Sequence, residues 1–160
     1  MNCACGSAVS LSFFVRGRRL GRIFGSRVAF RLTGFESPEP DIAFVRKSRH
    51  SLVRRGYVNG APDMALEIVS PDSIERDYVF KRLQFQNHGV TEYWIIDELK
   101  KKVLLLRLGS NGAYREIRPR KGILKSKVVT GFWLRLAWLW EKPLPEPLIV
   151  LQEILAGPPQ

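Results

Sequence analysis

The spacing of apolar and polar residues along the chain predicts helices and strands in alternation. The apolar stretch Ala8–Val15 continues towards Leu20 and predicts a first helix that ends at Gly21. Apolar runs then predict three strands, at Val28–Leu32, Asp41–Val45 and Met64–Val69. The last run is nearly all apolar, which is typical of a strand that is buried on both faces.

A second helix and a pair of strands follow. Asp72 and Glu75 are three residues apart and fit a capping box, which predicts a helix that continues to about Asn87 and stops at Gly89. Two more apolar runs predict a β-hairpin, Tyr93–Asp97 and Val103–Leu108. The order of elements predicts a single α/β (α+β) domain, in which helices flank a mixed central sheet.

We assign residues 1–142 to this domain and residues 143–160 to a linker and tail. Three prolines mark the linker, Pro143, Pro145 and Pro147. The tail contains a short apolar segment at Ile149–Leu155, which suits a docked helix. The apolar fraction of 45% in 160 residues excludes a disordered chain.

The charge balance favours polyanionic partners. Twenty-six Lys and Arg residues against 15 Asp and Glu residues give a net charge of +11. We rank nucleic acid above acidic lipid, because no long basic amphipathic helix accompanies this charge. The alternative is a basic protein whose charges only keep it in solution. The basic residues are concentrated in the segments 16–31, 46–55 and 115–127.

Several protein classes can be excluded. No uncharged apolar run reaches the ~18 residues that a membrane span needs, so we expect no membrane partner. Positive charges follow the apolar stretch near the N-terminus instead of preceding it, which argues against a secretory signal and favours a cytoplasmic location. Cys3 and Cys5 are too few for a disulfide framework or a structural zinc site.

Three carboxylates are candidates for metal chemistry. Glu67 lies in the most apolar strand, where an ionised carboxylate is costly unless it binds a metal, pairs with a cation or faces water. Asp41 begins a predicted neighbouring strand, and two such carboxylates suit Mg²⁺. Asp63, four residues before Glu67, is a secondary candidate whose Pro62-Asp63 context also suits a turn.

Lys81 is a candidate on the second helix. Ile74, Tyr78, Lys81 and Phe85 are spaced by four, three and four residues, so they share the inward face of a regular helix. The ammonium either extends outward past its neighbours or points at a carboxylate of the sheet. Asp77, four residues earlier, is a further secondary candidate that could pair with Lys81 on the helix surface.

These residues belong to segments that resemble the Uma-type family of restriction endonuclease-like proteins. The resemblance covers roughly residues 21–140 and rests on separated motifs in a fixed order. They are Pro40–Val45, Gly60–Pro71, Asp77 and Lys81, Gly89–Asp97, and Gly131-Phe132.

The resemblance implies the type II restriction endonuclease-like core of the PD-(D/E)XK superfamily. It makes Asp41 the first acid and Glu67 the second. The usual lysine two positions after the second acid is replaced by Val69, so Lys81 would substitute for it. Phe85 stands where the family often has tyrosine, and family members generally begin with a longer acidic N-terminal stretch.

We therefore expect a Mg²⁺-dependent endonuclease that hydrolyses DNA phosphodiester bonds. Asp41, Glu67 and the carbonyl of Ile68 would hold the metal, with Mn²⁺ as an alternative ion, and Lys81 would orient the nucleophile. A homodimer is the assembly expected for cleavage of both strands. The alternatives are a catalytically inactive basic module that binds nucleic acid, and an interaction protein whose carboxylates are structural.

Overall fold

A six-stranded mixed sheet forms the centre of the protein, and the computed structural model describes residues 3–159. The helices and strands in chain order are α1 (Cys3–Gly17), β1 (Gly21–Gly25), β2 (Ala29–Phe30), β3 (Ile42–Arg46), β4 (Tyr57–Val58), β5 (Met64–Val69), α2 (Lys81–Asn87), β6 (Glu92–Asp97), β7 (Lys102–Leu108), β8 (Tyr114–Ile117), β9 (Ile123–Lys125), β10 (Trp133–Arg135) and α3 (Pro147–Ala156). Short 3₁₀ helices occupy Lys47–Leu52 and Leu136–Leu139, and a π-helical turn at Arg76–Phe80 runs directly into α2.

The strand order in the sheet is β1-β3-β5-β6-β7-β8. Only β5 and β6 are parallel, because the chain crosses over between them through the helical segment that contains α2. The other neighbours are antiparallel. The predicted mixed sheet and the hairpin of β6 and β7 are therefore confirmed.

Each face of the sheet has its own apolar core. On one face, α1, α3 and the segment around β9 and β10 cover the sheet, and the Trp133 indole N–H donates to the Ile154 carbonyl at 3.2 Å. Val150 and Ile154 of α3 are buried there, so the C-terminal apolar segment packs as a docked helix. On the other face, α2 buries Phe85 edge-on against Tyr93.

The first helix is shorter than predicted. It ends at Gly17, and Gly21 instead begins β1, an edge strand that the sequence pattern did not reveal. Arg19 adopts a left-handed φ of 53° in the turn between them. A Cβ at Gly21 would collide with the carbonyl oxygen of Val45, so the close approach of β1 to β3 requires glycine at this position.

The strand predicted at 28–32 is not part of the central sheet. Only Ala29–Phe30 is extended, and it pairs in parallel with β4 to form a separate two-stranded sheet. The segment 46–60, for which the sequence pattern predicted no helix or strand, contains β4 and a 3₁₀ helix. Strands β8, β9 and β10 were also not predicted. Within residues 3–159, no helix is both long and apolar enough to cross a lipid bilayer.

Candidate active site

Two carboxylates meet where β3 begins and β5 ends. Ile42 lies opposite Leu66 in the antiparallel register, so the residues one step beyond them, Asp41 and Glu67, are neighbours. The Asp41 amide N–H donates to Glu67 Oε2 at 3.4 Å, and the Ile68 N–H donates to Asp41 Oδ2 at 2.8 Å. Glu67 is only 1% exposed. The site is therefore a buried acidic pair fixed by backbone hydrogen bonds.

Lys81 joins this pair from the helix. Its ammonium donates to Glu67 Oε1 at 2.7 Å, and its side chain is 15% exposed. Of the two orientations that the sequence allowed, the structure has the one in which the amine points into the sheet. Asp41, Glu67 and Lys81 thus form one cluster built from two strands and a helix.

The inward face of the helical segment differs from the predicted one. Ser73, Asp77 and Phe85 are buried and Lys81 is mostly buried, so the inward residues recur every four positions. Ile74 was predicted to face inward, but it is exposed. The π-helical turn explains the difference, because it adds residues to a turn and shifts the phase of the helix. Such turns occur often at functional sites.

The start of this segment also differs from the predicted capping box of Asp72 and Glu75. Ser70 and Ser73 close the turn instead, since the Ser70 N–H donates to the Ser73 Oγ at 2.9 Å. The other end agrees with the prediction. Gly89, with a φ of 75°, follows the last turn of α2 as a C-terminal glycine.

Asp77 lies inside the site instead of on the helix surface. It is 1% exposed, with Oδ1 at 3.7 Å from the Lys81 ammonium and 3.5 Å from Arg76 Nε. Among residues 3–159, Oδ1 has no hydrogen-bond partner. The Tyr93 hydroxyl donates to the Asp77 carbonyl oxygen at 2.8 Å and fixes the backbone beneath it. Asp77 therefore adds a third acidic group to the cluster.

Electrostatics in this cluster favour the protonated form of Glu67. Burial raises the pKa of its carboxyl from 4.5 to about 8, although the Lys81 ammonium acts in the opposite direction. The negative charges of Asp41 and Asp77 raise the pKa further. With Glu67 protonated, the cations of Lys81 and Arg76 balance the charges of Asp41 and Asp77, and loss of the Glu67 proton would leave one negative charge for a metal ion to neutralise.

Asp63 lies apart from this cluster. Its carboxylate contacts Arg49 Nη1 at 3.0 Å and Arg46 Nε at 3.4 Å, and it accepts the Arg46 N–H at 2.9 Å. Arg46 ends β3 whereas Asp41 precedes its start, so Asp63 and Asp41 are at opposite ends of the strand. Asp63 joins the end of β3 to the 3₁₀ helix and is a structural residue.

Three contacts that sequence reasoning missed hold the helical segment over the site. The Tyr78 hydroxyl donates to Asp97 Oδ2 at 2.8 Å, and burial together with Asp97 raises the pKa of this tyrosine. Gln84 and His88 both contact Glu36, at 3.1 and 3.3 Å, in the loop that leads to Asp41. Of these residues, only Tyr78 was indicated by the sequence, through its place on the predicted inward face of the helix. The contacts of Gln84 and His88 with Glu36 depend on tertiary structure, which the local sequence pattern does not encode.

The stability of the metal-free protein should depend on the proton of Glu67. Between pH 4.5 and 8 the unfolded chain loses this proton while the folded protein keeps it, so the stability that the protonated carboxyl contributes decreases as the pH rises. As the pH rises from 4.5 to 8, the unfolding free energy of the wild type should therefore fall relative to that of Glu67→Gln. The difference should change by at most about 1.4 kcal/mol per pH unit. Urea denaturation at pH 5, 6, 7 and 8 in metal-free buffer measures the difference.

The exposed Glu116 offers a matched control for this titration. Glu116→Gln should follow the wild type at every pH, because the substitution leaves the buried Glu67 and its neighbours unchanged. A constant difference between wild type and Glu67→Gln over this pH range would contradict the raised pKa.

Comparison with known proteins identifies the family. The sequence profile of the Uma2 family, described as "Putative restriction endonuclease", matches residues 8–137. A search of curated proteins gives no significant match. Among solved structures, the chain is similar to a crystal structure described as "a putative nuclease belonging to DUF820" from Anabaena variabilis ATCC 29413.

That structure has a TM-score of 0.66 and 23% sequence identity, over 84% of this chain and 79% of the other. At this identity the similarity concerns the fold, and it confirms the restriction endonuclease-like core expected from the sequence. Since the family profile covers most of the sequence, the chain belongs to the Uma2 family of restriction endonuclease-like proteins.

Proposed function

We propose that this protein is a Mg²⁺-dependent endonuclease that hydrolyses DNA at the cluster of Asp41, Glu67 and Lys81. Membership of a family described as restriction endonucleases supports a nuclease. The observation that carries the proposal is the 2.7 Å contact between the Lys81 ammonium and the buried Glu67, beside a second carboxylate on the adjacent strand. Buried clusters of two acids and a lysine, in which the pKa of one group is strongly shifted, are typical of functional sites.

The residues of this cluster fit a hard divalent cation. Mg²⁺ is usually held by one or two carboxylates with several waters, and Asp41 and Glu67 supply two. No group of three or more His, Cys, Asp or Glu side chains in residues 3–159 is arranged to hold a metal ion, so Mg²⁺ would depend on two carboxylates together with backbone and water oxygens. The negative charge that appears when Glu67 loses its proton would favour a cation, and so does the Asp77 Oδ1, which has no hydrogen-bond partner among residues 3–159. Mn²⁺ has the same ligand preference.

The backbone of Ile68 offers a third oxygen. Its N–H donates to Asp41 Oδ2, and in an extended strand the N–H and C=O of one residue point to the same side. The Ile68 carbonyl is therefore directed towards the side of β5 that carries Asp41. Asp41, Glu67 and Ile68 are the residues that would hold the ion.

The protein's own groups would position the substrate and balance its charge. When bound, Mg²⁺ would lower the pKa of a water and neutralise charge on the scissile phosphate. Lys81 would place a second positive charge beside this phosphate and orient the attacking water. Asp41 is kept in position by the Ile68 N–H, and Glu67 by Lys81. The proton that Glu67 holds in the free protein leaves when its carboxylate becomes a ligand.

The proposal is tested by nicking of supercoiled plasmid in Mg²⁺ and in EDTA. We expect nicking only with the metal, and we expect Glu67→Gln to lower its rate by on the order of 10²-fold or more, since the substitution removes a charged ligand. Glu116→Gln is the control, because it removes a carboxylate from the exposed surface of β8.

Two results would contradict this assignment. Nicking that survives Glu67→Gln would place the chemistry elsewhere. If the protein binds DNA but does not nick it in Mg²⁺ or in Mn²⁺, the alternative is favoured, which is an inactive basic module of the same fold.

A further inference from the structure

A basic groove lies far from the acidic cluster. It has a volume of about 580 Å³ and is lined by Arg118, Arg120 and Lys125 over an apolar floor that includes Ile117 and Ile123. The segment 115–127 around it contains six basic residues and one acidic residue. Within residues 3–159, no carboxylate lies within 4 Å of Arg118, Arg120 or Lys125. The groove therefore has positive charge that no described acidic group neutralises.

The groove and the acidic cluster are on opposite faces of the sheet. Glu67 shares its face with Ala65 and Val69, which pack against Phe85 of α2. Ile117 and Ile123 pack in the other core, on the opposite face of the sheet. Phosphates held in the groove would therefore be separated from Glu67 by the sheet.

The two sites are also three strands apart across the sheet. Glu67 is on β5, whereas Ile117 of the groove is on β8, and β6 and β7 lie between them. Neighbouring strands are about 4.8 Å apart, so this separation is about 14 Å. The same phosphate therefore cannot contact both sites.

The wall of the groove is rigid. Arg120 and Ile123 exchange two backbone hydrogen bonds of 2.9 Å around a two-residue turn. Both residues of the turn have left-handed φ values, 48° at Lys121 and 71° at Gly122, as in a type I′ hairpin. The Leu136 N–H donates to the Gly122 carbonyl at 2.9 Å and attaches this turn to the end of β10. The backbone of Arg120, beside the turn, is thus fixed, and its exposed side chain projects from a defined position.

We propose that this groove is a second nucleic-acid site, which binds the phosphodiester backbone of a duplex without metal and separately from the acidic cluster. Guanidinium and ammonium groups on a rigid β-surface suit phosphate contacts. A lipid surface is disfavoured, because the exposed large apolar residues of residues 3–159 lie outside the segment 107–127. Binding of a duplex in the groove does not require that the acidic cluster cleaves DNA.

The test is fluorescence anisotropy with a labelled 20-bp duplex in EDTA across a salt series. The triple variant Arg118→Gln, Arg120→Gln and Lys125→Gln should weaken binding about tenfold or more, and it should reduce the salt slope by about 2–3, since each phosphate contact contributes ~0.9. All three side chains are exposed, so the variant should keep the wild-type circular dichroism and melting temperature.

The control removes the same charge from exposed positions elsewhere, with Arg55→Gln, Lys101→Gln and Lys142→Gln. It should change the affinity less than threefold. Equal weakening by the two triple variants, or affinity of the groove variant within twofold of wild type, would overturn the proposal. So would equal competition by polyglutamate or by phosphatidylglycerol vesicles, because the groove would then be a general polyanion site.

A second measurement separates this proposal from the proposed function. In a calorimetric titration without DNA, the groove variant should bind Mg²⁺ with the affinity of the wild type, and a loss of Mg²⁺ affinity of more than threefold would mean that the two sites are one. If the wild type fails to nick plasmid in Mg²⁺ while the groove variant loses affinity, the endonuclease assignment is wrong and the second site stands.

Discussion

Replacing Lys81 with methionine is expected to lower the rate of Mg²⁺-dependent plasmid nicking on the order of 10²–10³-fold, the effect of removing one group that stabilises charge in a transition state. Lys81 is the cation that directly contacts Glu67, and methionine keeps much of the side-chain volume while removing the charge. The initial rate of nicking at saturating Mg²⁺ measures the loss.

The same substitution should change folding much less than activity. The pKa of Glu67 is already raised to about 8, and removal of the ammonium raises it further, so the carboxyl stays neutral and no unpaired charge is buried. Because Asp41 and Glu67 are retained, Mg²⁺ should still bind. Calorimetric titration with Mg²⁺ and a thermal melt separate a loss of chemistry from a loss of structure.

Lys102→Met is the matched control for Lys81→Met. Lys102 is an exposed lysine at the start of β7, and its substitution should leave the nicking rate within about twofold of wild type. Equal losses in both variants would indicate a general effect of charge on DNA binding. Unchanged nicking in Lys81→Met would exclude this lysine from the reaction.

Sequence patterns could predict most of the elements that hold the acidic cluster. The apolar run of β5 and the hairpin of β6 and β7 appear because buried strands need apolar side chains at most positions. Strand β1 could not be seen, since Gly21–Gly25 contains two glycines and one arginine in five residues. Its pairing depends on contact with β3, which no local pattern encodes.

The cluster itself could be predicted only in part. Glu67 is visible as a carboxylate in an apolar strand, and Lys81 as a lysine on an otherwise apolar helical face. Asp77 was placed on the helix surface, because a regular helical period cannot anticipate a π-helical turn. Asp63 has the same local signal as Asp41, and only the tertiary structure shows that Arg46 and Arg49 neutralise it.

Arg107→Met is expected to destabilise the protein by about 3–5 kcal/mol, the cost of leaving a buried charge without its partner. Glu92 is 0% exposed, and its Oε1 lies 2.7 Å from Arg107 Nη2 and 2.9 Å from Nε. The same carboxylate accepts the Ser126 hydroxyl at 2.7 Å and the Lys127 N–H. This pair therefore connects β6 and β7 to the segment beyond β9. Urea denaturation at neutral pH measures the loss of unfolding free energy.

Two further variants distinguish a buried charge from lost packing. The double variant Glu92→Gln and Arg107→Met should recover about half of the loss or more, because a neutral amide retains an acceptor oxygen and needs no cation. Arg135→Met removes a half-exposed pair, 3.2 Å from Glu153, together with cation–π contacts to Trp133 and Trp138, and should cost only about 1–2 kcal/mol. If Arg107→Met costs no more than Arg135→Met, the Glu92 carboxylate is stabilised by its hydroxyl and amide donors alone, and the arginine contributes only its packing.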